Sequence, residues 1–108
     1  MAENPLPTTP DDRWRQTHLG RLLGHAARRF DEGLDCGAQA NMSKLLCSEA
    51  SWQAADAAMD CFGGYAFATE YDVERKFRET RLYKNAPINN NLVLAFLGQH
   101  VLGMPKSY

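Results

Sequence analysis

The sequence predicts an all-α fold, a truncated up-and-down bundle of three long helices plus one short helix. Three observations carry the prediction. Apolar residues recur at spacings of three and four between Trp14 and Phe30, and an alanine-rich stretch from about Gly37 to Phe62 has no proline and few β-branched residues. The one β-like run, LVLAFL at 92–97, has no second strand to pair with.

The chain is 108 residues long, enough for one domain with one core. Residues 1–9 carry Pro5, Pro7 and paired threonines with little to bury, so they read as a flexible arm before a bundle domain at 10–108. Thr9 is placed as an N-cap, Pro10 as the first helical residue, and Asp11 and Asp12 against the positive end of the helix dipole. The first helix then presents Trp14, His18, Leu19, Leu22, Leu23, Ala26, Ala27 and Phe30 on one face, and Gly33 stands at its C-terminal cap. Gly20 and Gly24 each cost about 1 kcal/mol relative to alanine in a helix interior. They imply either a marginal helix or, as the preferred reading, a second helix crossing closely.

The second helix, about Gly37 to Phe62, has a large stripe of Met42, Leu45, Trp52, Met59 and Phe62 beside a small one of Ala50, Ala54, Ala57, Ala58 and Cys61. Apolar neighbours on more than one side make it the central element. Glu49 and Asp56 are expected to flank the core and pair with arginines of the first helix, and Cys61 to be buried and inert. A short helix follows from Tyr71 to about Tyr83, with Asp72 as a candidate N-cap, Val73 and Phe77 facing inward and Glu74 to Arg78 as an acid-to-base pair. Pro87 breaks it. The last element runs from about Asn89 to Leu102. LVLAFL alone would suit a buried strand, but QHVL extends it to helix length, asparagine suits its start and Gly103 with Pro105 its stop. His100, four residues after Phe96, reads as a packed helix histidine.

Composition narrows the partners. A formal charge of -1 gives no overall pull toward nucleic acid or an anionic membrane. Arg75, Arg78 and Arg81 are interleaved with acids and lack an aromatic stacking platform, so no nucleic-acid site is expected. ERKFRETR reads as a solvated face with internal ion pairs, and a subunit interface is the sharper alternative. Cys36, Cys47 and Cys61 form no CxxC pair and His18, His25 and His100 are scattered, so neither a metal site nor a disulfide framework is expected. No apolar run approaches the roughly 20 residues of a membrane span, and the N-terminus has no signal-peptide pattern. A cytoplasmic protein with reduced thiols is expected.

The segment ANMSKLLCSEASWQAADAAMDCFGGYAFATEYDVERKFRETRLY, followed later by HVLGMPKSY, resembles the C-terminal helical domain of the flavin-dependent acyl-CoA dehydrogenases. The resemblance runs from about Phe30 to Tyr108, while residues 1–26 match poorly. It implies an oxidoreductase in fatty acid metabolism that uses FAD. A carboxylate takes the α-proton of an acyl-CoA thioester while the β-hydride leaves for the flavin, and the product is a 2-enoyl-CoA. It also implies that the family's N-terminal helical domain, middle β-domain and first C-terminal helix are missing. The chain would then be inactive alone and would work as a homo-oligomer or beside a second chain supplying the flavin-binding domains, with acyl-CoA bound only in such a complex.

Carried over residue by residue, Gly63 and Gly64 match a glycine pair that approaches the adenosine part of FAD bound mainly to a neighbouring subunit. Their plain alternative is a helix stop. Asp60 stands where many members have Gln, and Asn89 and Asn91 where members have flavin-touching Thr and Glu or Gln. Pro87 occupies the place of the usual catalytic Glu, so the resemblance assigns this chain no catalytic residue. Subgroups with an Ala-Pro-Ile sequence like Ala86-Pro87-Ile88 depart from the Glu pattern, and others place the base on an earlier helix. A face lined by Leu19, Leu22 and Leu23, or by LVLAFL, is expected to stay apolar and drive association. The competing function is a non-catalytic helical oligomerisation module.

Overall fold

A computed structural model describes residues 10–106, and side chains from Thr17 onward. The element order is α1 (Pro10–Asp31), α2 (Gly37–Phe62), two 3-10 turns (Gly63–Phe67 and Thr69–Tyr71), α3 (Val73–Asn85) and α4 (Asn90–His100). Among the described residues every regular element is helical, as expected. The flexible arm, the Thr9 cap and the inward Trp14 lie outside the described residues and side chains.

α1 ends where the sequence says it should. Gly33 takes φ 70, its N–H donates to Phe30 O at 3.0 Å, and Leu34 N–H donates to Arg29 O at 2.8 Å. Arg28 and Arg29 sit in the last turn, where cations oppose the negative end of the helix dipole. Arg29 Nε also donates to Asp35 O at 2.7 Å, and Asp35 Oδ1 accepts from Gly37 N at 3.1 Å, which ties the link to the start of α2.

α1 and α2 run antiparallel. Leu19 and Leu22 face Leu46, Ala50 and Gln53 across one apolar groove of about 460 Å³, and Leu23, Ala27 and Phe30 face Cys36, Ala40 and Cys47 across another of about 500 Å³. Ala26, 7% exposed, is where α1 is buried between them. The close crossing expected at Gly20 and Gly24 is not there: a Cβ added to either meets nothing within 4 Å. These glycines face open space, so their helix-weakening cost is not offset by a closely approaching neighbour.

α3 lies antiparallel to α2 on another side, joined by Trp52 and Phe77, whose ring centroids are 4.6 Å apart. The Arg81 guanidinium covers the same indole at 5.1 Å, a cation–π contact that also shields the ring from water. Asp72 does not act as the expected side-chain cap. It takes a left-handed backbone (φ 60, ψ 0), which aims its carboxylate at Arg75 Nε, 3.1 Å away, instead of at an amide of the first turn. The rest of the charged run is paired along the helix, Arg78 with Glu74 at 2.7 Å, Arg75 with Glu79 at 2.8 Å and Lys76 with Glu79 at 2.9 Å.

α4 returns along α2, with Asn90 at Ser48, Val93 beside Ala40 and Asn41, and Phe96 against Gly37. It is the helix that length and capping predict, not the strand that LVLAFL alone suggests. Asn89 caps it, accepting from Asn91 N at 2.8 Å, and His100 stacks on Phe96 with centroids 4.5 Å apart. The core is small. Among the described residues the buried apolar side chains are Ala26, Ala66 and Val93, whereas Phe30 (73%) and Phe67 (74%) face solvent. A Cα radius of gyration of 17.0 Å, against about 13 Å for a compact chain of this length, states the same openness.

Two further expectations are corrected. Cys61 is exposed, as are Ala54 and Ala57 of the small stripe it shares. Glu49 pairs with Lys84 of α3 at 2.9 Å and not with a described arginine side chain of α1, although it also lines the groove shared with Leu19 and Leu22. No helix among the described residues is long and apolar enough to cross a membrane, and none of their His, Cys, Asp and Glu side chains form a group of three that would hold a metal.

Candidate functional site

The residues singled out in the sequence fall into two groups at different levels of α2. Gly63 and Gly64 lie at its C-terminal end, while Asn89, Asn91 and Pro87 lie at the α3–α4 corner, which packs against the turn holding Lys44, Ser48 and Glu49. At 1.5 Å per residue, the fourteen positions from Glu49 to Gly63 separate the two groups by about 20 Å along the helix. The structure does not bring them into one pocket.

At the first group, Gly63 caps α2 with φ 57 and ψ -132, a combination open to glycine and strained for other residues. Its N–H donates to Asp60 O and Met59 O, so Asp60 contributes its backbone to the cap. A Cβ added at Gly63 or Gly64 meets nothing within 4 Å. The backbone here is bare and reachable, which fits close approach by a ligand's polar edge. The exposed Asp60 carboxylate fits an anionic ligand less well, since two like charges at short range repel. Exposed aromatics flank the turn: Tyr71 lies 5.7 Å from Tyr65 and 6.0 Å from Phe62, centroid to centroid.

The second group is knit more tightly, and its key member was not singled out in the sequence. Asn90 is 7% exposed; its Nδ2 donates to Ser48 Oγ at 3.0 Å and Glu49 Oε1 at 3.3 Å. Its Oδ1 accepts from Lys44 Nζ and from Ser48 Oγ. Lys44 Nζ also donates to Lys84 O at 3.3 Å, and Lys84 Nζ reaches Glu49. One turn of α2 thus holds the end of α3 and the start of α4. A signal was present in KLLCSE, which sets Lys44 and Ser48 four apart on one face with Glu49 beside them, but nothing in the run Asn89–Asn90–Asn91 says which asparagine turns inward. Asn89 and Asn91 stay exposed.

The Ala86–Pro87 bond is cis, and Pro87 with Ile88 lines a hollow of about 220 Å³ whose other walls are Ala40, Asn41, Lys44 and Val93. Pro87 has no group that takes a proton. The carboxylate tied into this corner is Glu49, and its pKa is held below the ordinary value by its hydrogen bond to Lys84 first, with further help from the Lys84 charge and Asn90. A carboxylate stabilised in its ionised form is a weakened base, the opposite of what abstraction of a carbon-bound proton needs. The corner offers neutral amides and a lysine ammonium, groups that bind and orient.

Comparison with known proteins gives a consistent answer. Residues 13–87 match the family model for the acyl-CoA dehydrogenase C-terminal domain. The match thus includes most of α1, more than the stretch from about Phe30 onward that carries the resemblance. An acyl-CoA dehydrogenase of Mycobacterium tuberculosis is 42% identical over 96 residues, covering 86% of this chain and 25% of that protein. An acyl-CoA dehydrogenase of Bacillus subtilis is 33% identical over 82 residues, 76% of this chain and 22% of the relative. Cyclohexane-1-carbonyl-CoA dehydrogenase of Geobacter metallireducens is 36% identical over 77 residues, 68% of this chain and 20% of the relative. The chain spans about a quarter or less of the length of these relatives. No solved structure matches.

Proposed function

Because the chain belongs to the acyl-CoA dehydrogenase family, as its C-terminal helical domain, we propose that it serves an FAD-dependent enzyme that dehydrogenates an acyl-CoA thioester between its α- and β-carbons. It does so in a cytoplasmic complex, as a homo-oligomer or beside a chain carrying the flavin-binding segments. FAD, when bound, supplies the acceptor for the hydride. Gly63 and Gly64 would give the adenosine part of an FAD held mainly by a neighbouring subunit close access to backbone, and the exposed Asn89 and Asn91 would offer a flavin neutral hydrogen-bonding groups. Asp60 opposes a pyrophosphate unless a partner's cation neutralises it. The proton from the α-carbon goes to a base outside the corner, because Pro87 cannot take it and Glu49 is tied to Lys84.

The observation that carries this reading is the family match across α1, α2 and α3, with the glycine turn left open where a ligand would approach. Co-purification of the chain with products of neighbouring reading frames tests it. A yellow complex with flavin absorbance supports it, and a colourless product that binds neither FAD nor acyl-CoA in any pairing overturns it.

Pro87 favours a second reading, a helical association module that has kept its packing surface and lost the chemistry. Exposed Leu23, Phe30 and Leu46 along the α1–α2 grooves supply the surface for it. Self-association without flavin distinguishes it from the first.

A further inference from the structure

The corner between α3 and α4 spans residues 86–89, and one side chain of α2 holds both of its ends. Lys44 Nζ donates to Lys84 O, in the last turn of α3, and to Asn90 Oδ1, in the first turn of α4. Its target Asn90 is buried, where an unmade hydrogen bond is costly, and Ser48 and Glu49 satisfy the rest of the amide. Lys44 also lines the hollow that Pro87 and Ile88 share with Val93.

We propose that Lys44 is a positioning residue: by clamping the two ends of the 86–89 corner onto α2, it fixes where Asn89 and Asn91 stand. The reason is geometric. A connection this short, pinned at both ends to one rigid helix, keeps few conformations, and the exposed amides at its far end inherit that order. Asn90 is the point of leverage, because Asn89 caps the helix that Asn90 begins, through the hydrogen bond from Asn91 N. The role assigned to the held amides rests on the flavoprotein reading above; the clamp itself does not.

The test has two arms. In the chain alone, amide hydrogen exchange is read at Ala86, Asn91, Leu92 and Val93, whose N–H groups are hydrogen-bonded at the corner, with amides of α1 as an internal reference. Lys44→Met keeps the stem and removes the ammonium; exchange at the corner should rise by about tenfold or more, the scale of a lost hydrogen bond to a charged group, while α1 is unchanged. Lys44→Arg, which keeps donors, should restore part of the protection. Corner exchange unchanged by Lys44→Met overturns the clamp. Should Lys44→Met lose its helical circular dichroism, Ser48→Ala decides, with several-fold faster corner exchange expected and no change refuting.

The second arm uses a flavin-bearing complex containing the chain. Lys44→Met should keep its flavin content yet shift the flavin absorption band or the spectral change on adding an acyl-CoA, and Lys44→Arg should move it back. A loosened corner with an unaltered flavin spectrum overturns the positioning role. A wild-type chain that forms no flavin complex refutes the functional reading instead, and the exchange arm still judges the clamp.

Discussion

Val93 offers the sharpest stability test, because α4 is attached to α2 through very little apolar contact. Its side chain is 1% exposed, while its neighbour Leu94 is 53% exposed on the same helix. Val93→Ala removes two carbon groups from water-free surroundings, a transfer loss of about 1.6 kcal/mol at about 0.8 kcal/mol per group. The void left between α4 and α2 adds to this, so a total of about 2 kcal/mol is expected. At 4–8 °C per kcal/mol for a domain of this size, the midpoint should fall by about 10 °C or somewhat more. Leu94→Ala removes more carbon but from a half-wet site, and should cost less than about 1 kcal/mol. Urea unfolding followed by circular dichroism, with the slope checked for two-state behaviour, measures both. Equal losses for the two variants, or a Val93→Ala loss under about 0.5 kcal/mol, would refute the placement of α4 on α2.

Other outcomes follow from particular residues. Glu49 is held below its ordinary pKa of 4.5 in the folded chain, so its pairing with Lys84 contributes stability that is complete above that value and is lost as the pH falls through the folded one. The stability gap between wild type and Lys84→Met should therefore be flat from about pH 7 to 5.5 and narrow below about pH 4.5, and a gap that widens on acidification contradicts the pairing. Asp72 sits at φ 60, so Asp72→Gly should change stability by less than about 1 kcal/mol while Asp72→Val costs about 1–2 kcal/mol, as read by thermal unfolding. Gly63→Val forces a branched residue into a glycine-only conformation and should cost about 1–3 kcal/mol. In a flavin-bearing complex the same substitution should lower the flavin-to-chain ratio, and an unchanged ratio removes the proposed contact.

The sequence was most legible where local chemistry decides. The run without proline from Gly37 to Phe62 gave both ends of α2, and Gly33 gave the stop of α1, because caps and glycines act within a turn of themselves. Relations between helices were less legible. Glu49 shows no mark in the sequence of pairing with Lys84, since a helix places it on a face without saying which partner that face meets. Gly20 and Gly24 look like a close crossing, and the structure leaves them open. Asp72 has the right chemistry for a cap, but its left-handed backbone gives the carboxylate to Arg75. The glycine turn and the Pro87 corner were readable from the order of motifs, whereas the Lys44–Ser48–Asn90 cluster depends on contacts more than 40 residues apart in sequence.

The measurement closest to the central claim is anaerobic bleaching of bound flavin by an acyl-CoA. Two preparations are compared, the complex of the flavin-carrying chain with this helical domain and the flavin-carrying chain alone. The oxidised flavin band should disappear on adding substrate only when this domain is present. Bleaching that proceeds equally without it, or a fully flavin-loaded complex that no acyl-CoA reduces, would contradict the claim that these helices complete an acyl-CoA dehydrogenase.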